Sequence, residues 1–230
     1  MLRLYIANKN YSSWSLRPWV LMRQLGIEFE EMLVPFGHPG QPSPFHAFSP
    51  SGKVPCLADG DTLVWESLAI AEYLAERDAR VWPADRLARA WARCAASEMH
   101  AGFSDLRNVC SMSCGVRVRL ESPPAGLGRD VARLDELWCE GLSRFGGEFL
   151  AGGAFTAVDA FFAPVAFRVQ SYSLALSAPA SDYAARLLAL ASMQAWYAAA
   201  LAETWRDEAH EEEARAVGVL LADHRASPTG

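Results

Sequence analysis

Three short stretches hold the side chains most able to do chemistry. Ser12 and Ser13 stand together in a polar loop between a first apolar alternation and a first helical stripe. Hydroxyls in such loops serve turns and caps, and at the positive end of a helix they also donate to a developing anion. Lys53 precedes Val54-Pro55, and Glu66-Ser67 opens another helical stripe. A serine there caps its helix, and with the free N–H groups of the first turn it can hold an anion. Farther on, Met99, His100, Phe103 and Arg107 recur at roughly helical spacing, on a face that can line a cleft or pack in a core. The cysteines, Cys56, Cys94, Cys110, Cys114 and Cys139, are scattered. Cys110 and Cys114 are four apart, but no second ligand pair stands near them, so no metal is expected.

The elements that must position these groups follow from pattern. Leu2 to Ala7 and Glu28 to Val34 alternate like half-buried strands. Between them Trp19, Val20-Leu21-Met22 and Leu25 share a helical face that Gly26 stops. Pro18 fits the first turn of that helix, which sets its start between Trp14 and Arg17. Residues 35–52 hold five prolines and three glycines, an irregular segment of the kind that carries function. Val54–Ala58 and Thr62–Trp65 flank Asp59-Gly60-Asp61, a hairpin signal, and a helix follows from Ser67 to about Arg77. The result is a small mixed sheet with helices packed on it. Residues 79–85, with Trp82-Pro83, read as a linker. Beyond it the period is helical, with helices expected near 86–112, 125–149, 157–176, 182–200 and 204–222. Thr156 and Asp159 form a capping box ahead of an apolar helix. Residues 223–230 have little to pack and are expected to fray.

Bulk properties narrow the classes. The chain has 230 residues, 51% hydrophobic and 21% charged, an ordinary globular balance. The net charge is -6, and no stretch concentrates Lys and Arg, so no nucleic acid is expected as a partner. The N-terminus has no basic region followed by a long apolar segment, so no signal peptide is read there. The apolar windows at 161–167 and 187–201 are too short to cross a bilayer and are interrupted by Pro164 and Gln194, so no membrane association is expected. An odd cysteine count without a signal peptide points to reduced thiols in the cytoplasm.

Three segments taken in order resemble one known family. They are Asn10-Tyr11-Ser12-Ser13-Trp14-Ser15-Leu16-Arg17, Ser49-Pro50-Ser51-Gly52-Lys53-Val54-Pro55-Cys56-Leu57 and Trp65-Glu66-Ser67-Leu68-Ala69-Ile70-Ala71-Glu72-Tyr73-Leu74. Together they resemble the N-terminal domain of the glutathione transferase superfamily, and the helical remainder resembles its C-terminal domain. The resemblance implies an α/β thioredoxin-like N-terminal domain over 1–78 and an all-α C-terminal domain over 86–222. It also implies glutathione as co-substrate. In the family the Val-Pro bond is cis, and the backbone of Val54, ahead of Pro55, would pair with the cysteinyl unit. Ser67 and its helix end would take the γ-glutamyl carboxylate, and Glu66 the ammonium. Lys53 would take the glycyl carboxylate, with His38 or Gln41 as a possible helper.

The Ser-Ser-Trp-Ser-x-Arg run is most like the zeta class, whose pattern is Ser-Ser-Cys-Ser-x-Arg. Carried over residue by residue, Ser12 takes the principal catalytic position, Ser13 is its neighbour, and Trp14 stands in place of the class's cysteine. Cysteine is absent from residues 8–19, and Tyr5 precedes the position of the tyrosine used by other classes. Trp14, His100, Phe103 and Arg107 are expected around the second substrate. The implied activity is transfer of the glutathione thiolate to small hydrophobic electrophiles, a detoxification chemistry. Isomerisation of the maleylacetoacetate type is one alternative, and non-catalytic ligand binding is another. A cytoplasmic homodimer is the family's habit.

Overall fold

The computed structural model describes residues 1–37 and 40–228. The alternating start of the chain forms β1 (Leu2–Ile6), followed by α1 (Ser13–Leu25) and β2 (Phe29–Leu33). Then come β3 (Cys56–Asp59), β4 (Thr62–Trp65) and α2 (Ser67–Ala75). The sheet order is β2-β1-β3-β4, with β1 parallel to β2 and antiparallel to β3, and β3 antiparallel to β4. Leu4 and Ile6 from β1, Leu57 from β3, Leu16 and Val20 from α1 and Ile70 and Leu74 from α2 are all buried in one core. This is the thioredoxin-like arrangement that the sequence implied.

Helix α1 starts at Ser13, one residue before the expected window, and Pro18 lies inside it. Proline there removes only the bond to the Trp14 carbonyl, at the open end of the helix. Gly26 ends the helix at φ +68, the left-handed cap that glycine adopts at little cost.

The second region contains α3 (Arg86–Ala101), α4 (Ser104–Val109), α5 (Ala125–Phe145), α6 (Ala157–Tyr172), α7 (Ala178–Ala189), α8 (Ala191–Ala202) and α9 (Glu208–Ala216). The helix expected over 86–112 is broken at Phe103, whose φ of +54 turns the chain between α3 and α4. The expected capping interaction is present: Asp159 accepts the Thr156 N–H at 2.9 Å, the Leu150 N–H at 3.0 Å and the Tyr183 hydroxyl at 2.8 Å. Helix α6 is buried along nearly its whole length and packs against α1, α3 and α7. Apolar side chains around its full circumference explain this burial.

Two expectations are corrected. Residues 204–222 are not one helix: α9 is short, and β6 (Gly218–Asp223) pairs antiparallel with β5 (Val116–Leu120). The helical region therefore also carries a two-stranded sheet. Nor do the following residues fray: His224 N–H donates to the Gly115 carbonyl at 2.9 Å, and Ala226 N–H to the Leu201 carbonyl at 2.7 Å. The Arg225 side chain is 3% exposed. Backbone pairing on both sides and a buried ion pair supply the packing that composition alone did not reveal. Residues 229 and 230 lie outside the described set. Among the described residues no helix is long and apolar enough to cross a membrane.

Candidate functional site

The loop between β1 and α1 is held from the helical region. Glu203 accepts the Lys9 N–H at 2.7 Å and the Asn10 N–H at 3.2 Å, and Trp196 Nε1 donates to the Lys9 carbonyl at 2.9 Å. These bonds fix Ser12 and Ser13 at the N-terminus of α1, both nearly buried. Their hydroxyls differ. Ser12 Oγ donates to Ser15 Oγ at 2.6 Å, and Ser15 Oγ also accepts the Ala7 N–H at 3.2 Å. Ser13 lines the main cavity, and none of the described residues hydrogen-bonds its hydroxyl. The neighbouring Tyr11 hydroxyl is occupied, donating to Glu211 at 2.7 Å. Burial and that carboxylate push its phenol above the ordinary range, which makes it a poor proton donor to a ligand.

Two adjoining cavities meet at Trp14, Lys53 and Val54. The smaller, about 160 Å³, is lined by Trp14, Ser51, Lys53, Val54, Pro55 and Glu66. Its floor depends on Gly52, which has φ +64 and faces the His46 ring; a Cβ there would sit 2.2 Å from His46 Cε1. The Val54-Pro55 bond is cis, as the resemblance implied. No described backbone group pairs with Val54, so its N–H and C=O remain available to an extended ligand.

At the end of this cavity Glu66, not Ser67, occupies the cap position of α2. Its φ is +70 and its ψ 128, a conformation that costs a non-glycine residue about 1–3 kcal/mol and that clusters at ligand sites. Ser67 is the first residue of the helix. Its hydroxyl is buried without a partner and lines neither cavity; it stands beside the free N–H groups of the helix end, a setting that suits an anion. Gln41 is exposed and lines neither cavity, and His38 lies outside the described residues.

The larger cavity, about 470 Å³, has the size of a small-molecule site. Ser12, Ser13, Trp14 and Arg107 line it together. His100 stands behind Trp14, ring to edge at 5.2 Å, and donates no side chain to either cavity. Burial, then the nearby Arg17, holds its pKa below the ordinary imidazole range. Phe103 is buried at the α3–α4 turn and is likewise absent from the cavity walls. So the structure brings Trp14 and Arg107 to the site, with His100 and Phe103 as packing beneath it.

Three groups in this region were given no site role from the sequence. Arg168 on α6 reaches the larger cavity; it is 3% exposed, its Nε donates to the Cys110 carbonyl at 2.7 Å, and its Nη1 is buried without a partner. Arg17 is buried with Nε and Nη1 unpartnered, its guanidinium 4.0 Å from the Trp14 ring centroid. Burial, followed by mutual repulsion among Arg17, Arg168 and Arg107, disfavours the charge on Arg17. A lone arginine following the long apolar run of α6 was the signal available for Arg168. The third group is α9, whose His210 and Glu213 complete the wall. Tyr11 and Arg225 fasten α9 through Glu211, which accepts from Arg225 Nη2 at 3.0 Å.

A thioredoxin-like sheet with a cis-proline ahead of its third strand, joined to a helical region that lines the cleft, is the glutathione transferase architecture. Comparison with known proteins agrees. The family described as glutathione S-transferase, N-terminal domain, matches residues 11–77. A probable maleylacetoacetate isomerase of Caenorhabditis elegans is 26% identical over 183 residues, covering 76% of this chain and 81% of that protein. A probable glutathione S-transferase of Oryza sativa is 35% identical over 68 residues, 29% of this chain and 32% of that one. Among solved structures, a Burkholderia glutathione transferase homologue with bound glutathione superposes with a TM-score of 0.64 at 22% identity, covering 86% of this chain and 97% of the other. Residues 11–77 are thus a glutathione S-transferase N-terminal domain, and the chain has the glutathione transferase fold, as the sequence resemblance implied.

Proposed function

We propose that the protein is an enzyme that binds glutathione along the smaller cavity and transfers its thiolate to a small electrophile held in the larger one. The observation that carries this reading is a set of unsatisfied groups: the Val54 backbone and the Ser13 hydroxyl at the cavities, and the buried Ser67 hydroxyl at the start of α2. These groups suit the cysteinyl amide, the γ-glutamyl carboxylate and the thiol of glutathione. Glu66 takes the ammonium and Lys53 the glycyl carboxylate. The hydroxyl at the α1 N-terminus, with the positive end of that helix, stabilises the thiolate. Isothermal calorimetry with glutathione tests the binding, and the ultraviolet absorbance of the bound thiolate tests activation. No binding at millimolar glutathione defeats the reading.

A second reading is favoured by Arg107 and Arg168. A site for purely hydrophobic electrophiles has no use for two guanidinium groups on its wall. Such groups suit a carboxylate-bearing substrate, as an isomerase of the maleylacetoacetate kind would take. Turnover of acidic against neutral electrophiles distinguishes the two. The non-catalytic alternative loses ground because thiol-activating and peptide-binding groups are both present. We further propose a cytoplasmic homodimer, supported by family habit and by the exposure of Leu63 and Trp65 on β4. Light scattering at micromolar concentration, expected to return twice the chain mass of 25.2 kDa, checks it.

A further inference from the structure

We propose that His210 is the proton acceptor for the glutathione thiol, with Asp207 as its positioning residue. The inference rests on the transferase reading and adds a catalytic group to it. His210 lines the larger cavity together with Ser12 and Ser13. Its Nδ1 lies 2.6 Å from Asp207 Oδ1. Asp207 is itself 9% exposed and also accepts the His210 N–H at 3.2 Å as cap of α9. An ionised carboxylate only accepts, so the neutral ring carries its proton on Nδ1 and its lone pair on Nε2. The ring is fixed in this setting. It stacks on Tyr11 at 5.0 Å and 24°, and it packs on Phe36 at 5.0 Å. A carboxylate-held imidazole at a cavity that also holds the activating hydroxyls is the arrangement of a general base.

The step balances without a further reagent. Nε2 takes the proton of the S–H group, and the S–H electron pair stays on sulfur as the thiolate. That pair forms the C–S bond. In a substitution the leaving group departs with its own bonding pair and receives the proton from the imidazolium. In an addition the proton goes to the anion formed on the acceptor. Ser13 stabilises the thiolate by hydrogen bonding while His210 carries the charge of the proton removed. The charged and titratable groups around His210 are Asp207, Glu211 and Glu213 on its own element and Tyr11 at the start of α1. Lys53, Arg107 and Arg168 line the other walls, and Arg225 lies behind Tyr11.

Proton balance provides the test and needs no electrophile. Glutathione binding is first measured by calorimetry, so that failure of the transferase reading is seen separately. The protein is then mixed with glutathione in weak buffer at about pH 7.5. Thiolate absorbance and a pH indicator are followed together. The wild type is expected to form thiolate with no matching release of protons, because the proton stays on His210. His210→Gln, which keeps a polar side chain of similar reach, is expected to lose the thiolate band or to release one proton for each thiolate formed. Asp207→Asn retains a good helix cap and is expected to reduce the thiolate formed at unchanged glutathione affinity and melting temperature. One proton released per thiolate by the wild type overturns the proposal. So does a His210→Gln protein whose band and proton balance equal those of the wild type.

Discussion

Ser12 donates its hydroxyl proton to Ser15 Oγ at 2.6 Å, and so it is turned away from the cleft that it borders. The family pattern makes Ser12 the principal hydroxyl, yet the one free to donate is that of Ser13. Ser12→Ala is expected to disturb the anchoring of the loop, because Ser15 then keeps only the Ala7 N–H. Ser13→Ala is expected to raise the pKa of the bound thiol. A shift of two units corresponds to about 2.7 kcal/mol, and turnover should fall about 10²-fold, as for loss of one oxyanion donor. Titration of the thiolate absorbance in both variants decides between them: a larger shift in Ser12→Ala would restore the family assignment.

Glu66 and Ser67 separate binding from stability. Ser67→Ala removes a hydroxyl that bonds nothing in the protein, so melting should hardly change. Glutathione affinity should drop by about 1–3 kcal/mol. Glu66→Gly relieves the φ of +70 and should stabilise the fold by about 1 kcal/mol while weakening ammonium binding. Calorimetry and a thermal melt on the same samples read both effects. A Glu66→Gly protein that melts lower than wild type would contradict the claim of strain.

Arg168→Met tests the acidic-substrate reading. The buried guanidinium has only the Cys110 carbonyl and one free nitrogen, so replacement by an apolar chain of similar length should cost little stability. Glutathione affinity should be retained. The KM for a carboxylate-bearing electrophile should rise, by about 1.5–3 kcal/mol if a charged hydrogen bond is lost, whereas that for a neutral one should not. Equal changes for both electrophiles would remove the support for an acid site.

The clasp of α9 should respond to acid. Burial works to raise the Glu211 pKa, but hydrogen bonds from Arg225 and Tyr11 outweigh it and leave the carboxyl below its ordinary value. A carboxylate lowered in the folded state contributes stability above its unfolded pKa and loses it as pH falls through the folded one. The clasp should therefore be intact at neutral pH and loosen below about pH 4.5, near the ordinary glutamate value. Amide exchange in residues 218–225 as pH is lowered measures this. Glu211→Gln should exchange faster at neutral pH and show little further change on acidification.

Where candidate site residues sit in contiguous stretches, their structural setting was readable from the sequence. Ser12-Ser13, Lys53-Val54-Pro55 and Glu66-Ser67 each join a strand, turn or helix start to its chemistry within a few residues, and local patterns report such junctions. The second wall was harder. Arg168, His210 and Arg225 come from elements far apart along the chain, and only tertiary packing brings them to one cleft. The small second sheet was missed as well: Val-Arg-Val-Arg-Leu at 116–120 alternates, yet everything beyond the linker was read as helical in period, its partner at 218–223 included. His100 and Phe103 had the right spacing, but α3 breaks at Phe103, and a face inferred from an unbroken helix does not survive that turn.

The pairing of β6 with β5 and the bond from Arg225 to Tyr11, residues 214 positions apart, also set an order of assembly. The four strands and two helices that surround Val54 have all been made once residue 75 is reached. The wall carrying His210 cannot close until residue 225 has followed. At about 5–20 residues per second, the two events are separated by something on the order of ten seconds. During that interval the nascent chain carries the four-stranded sheet without the wall that α9 supplies.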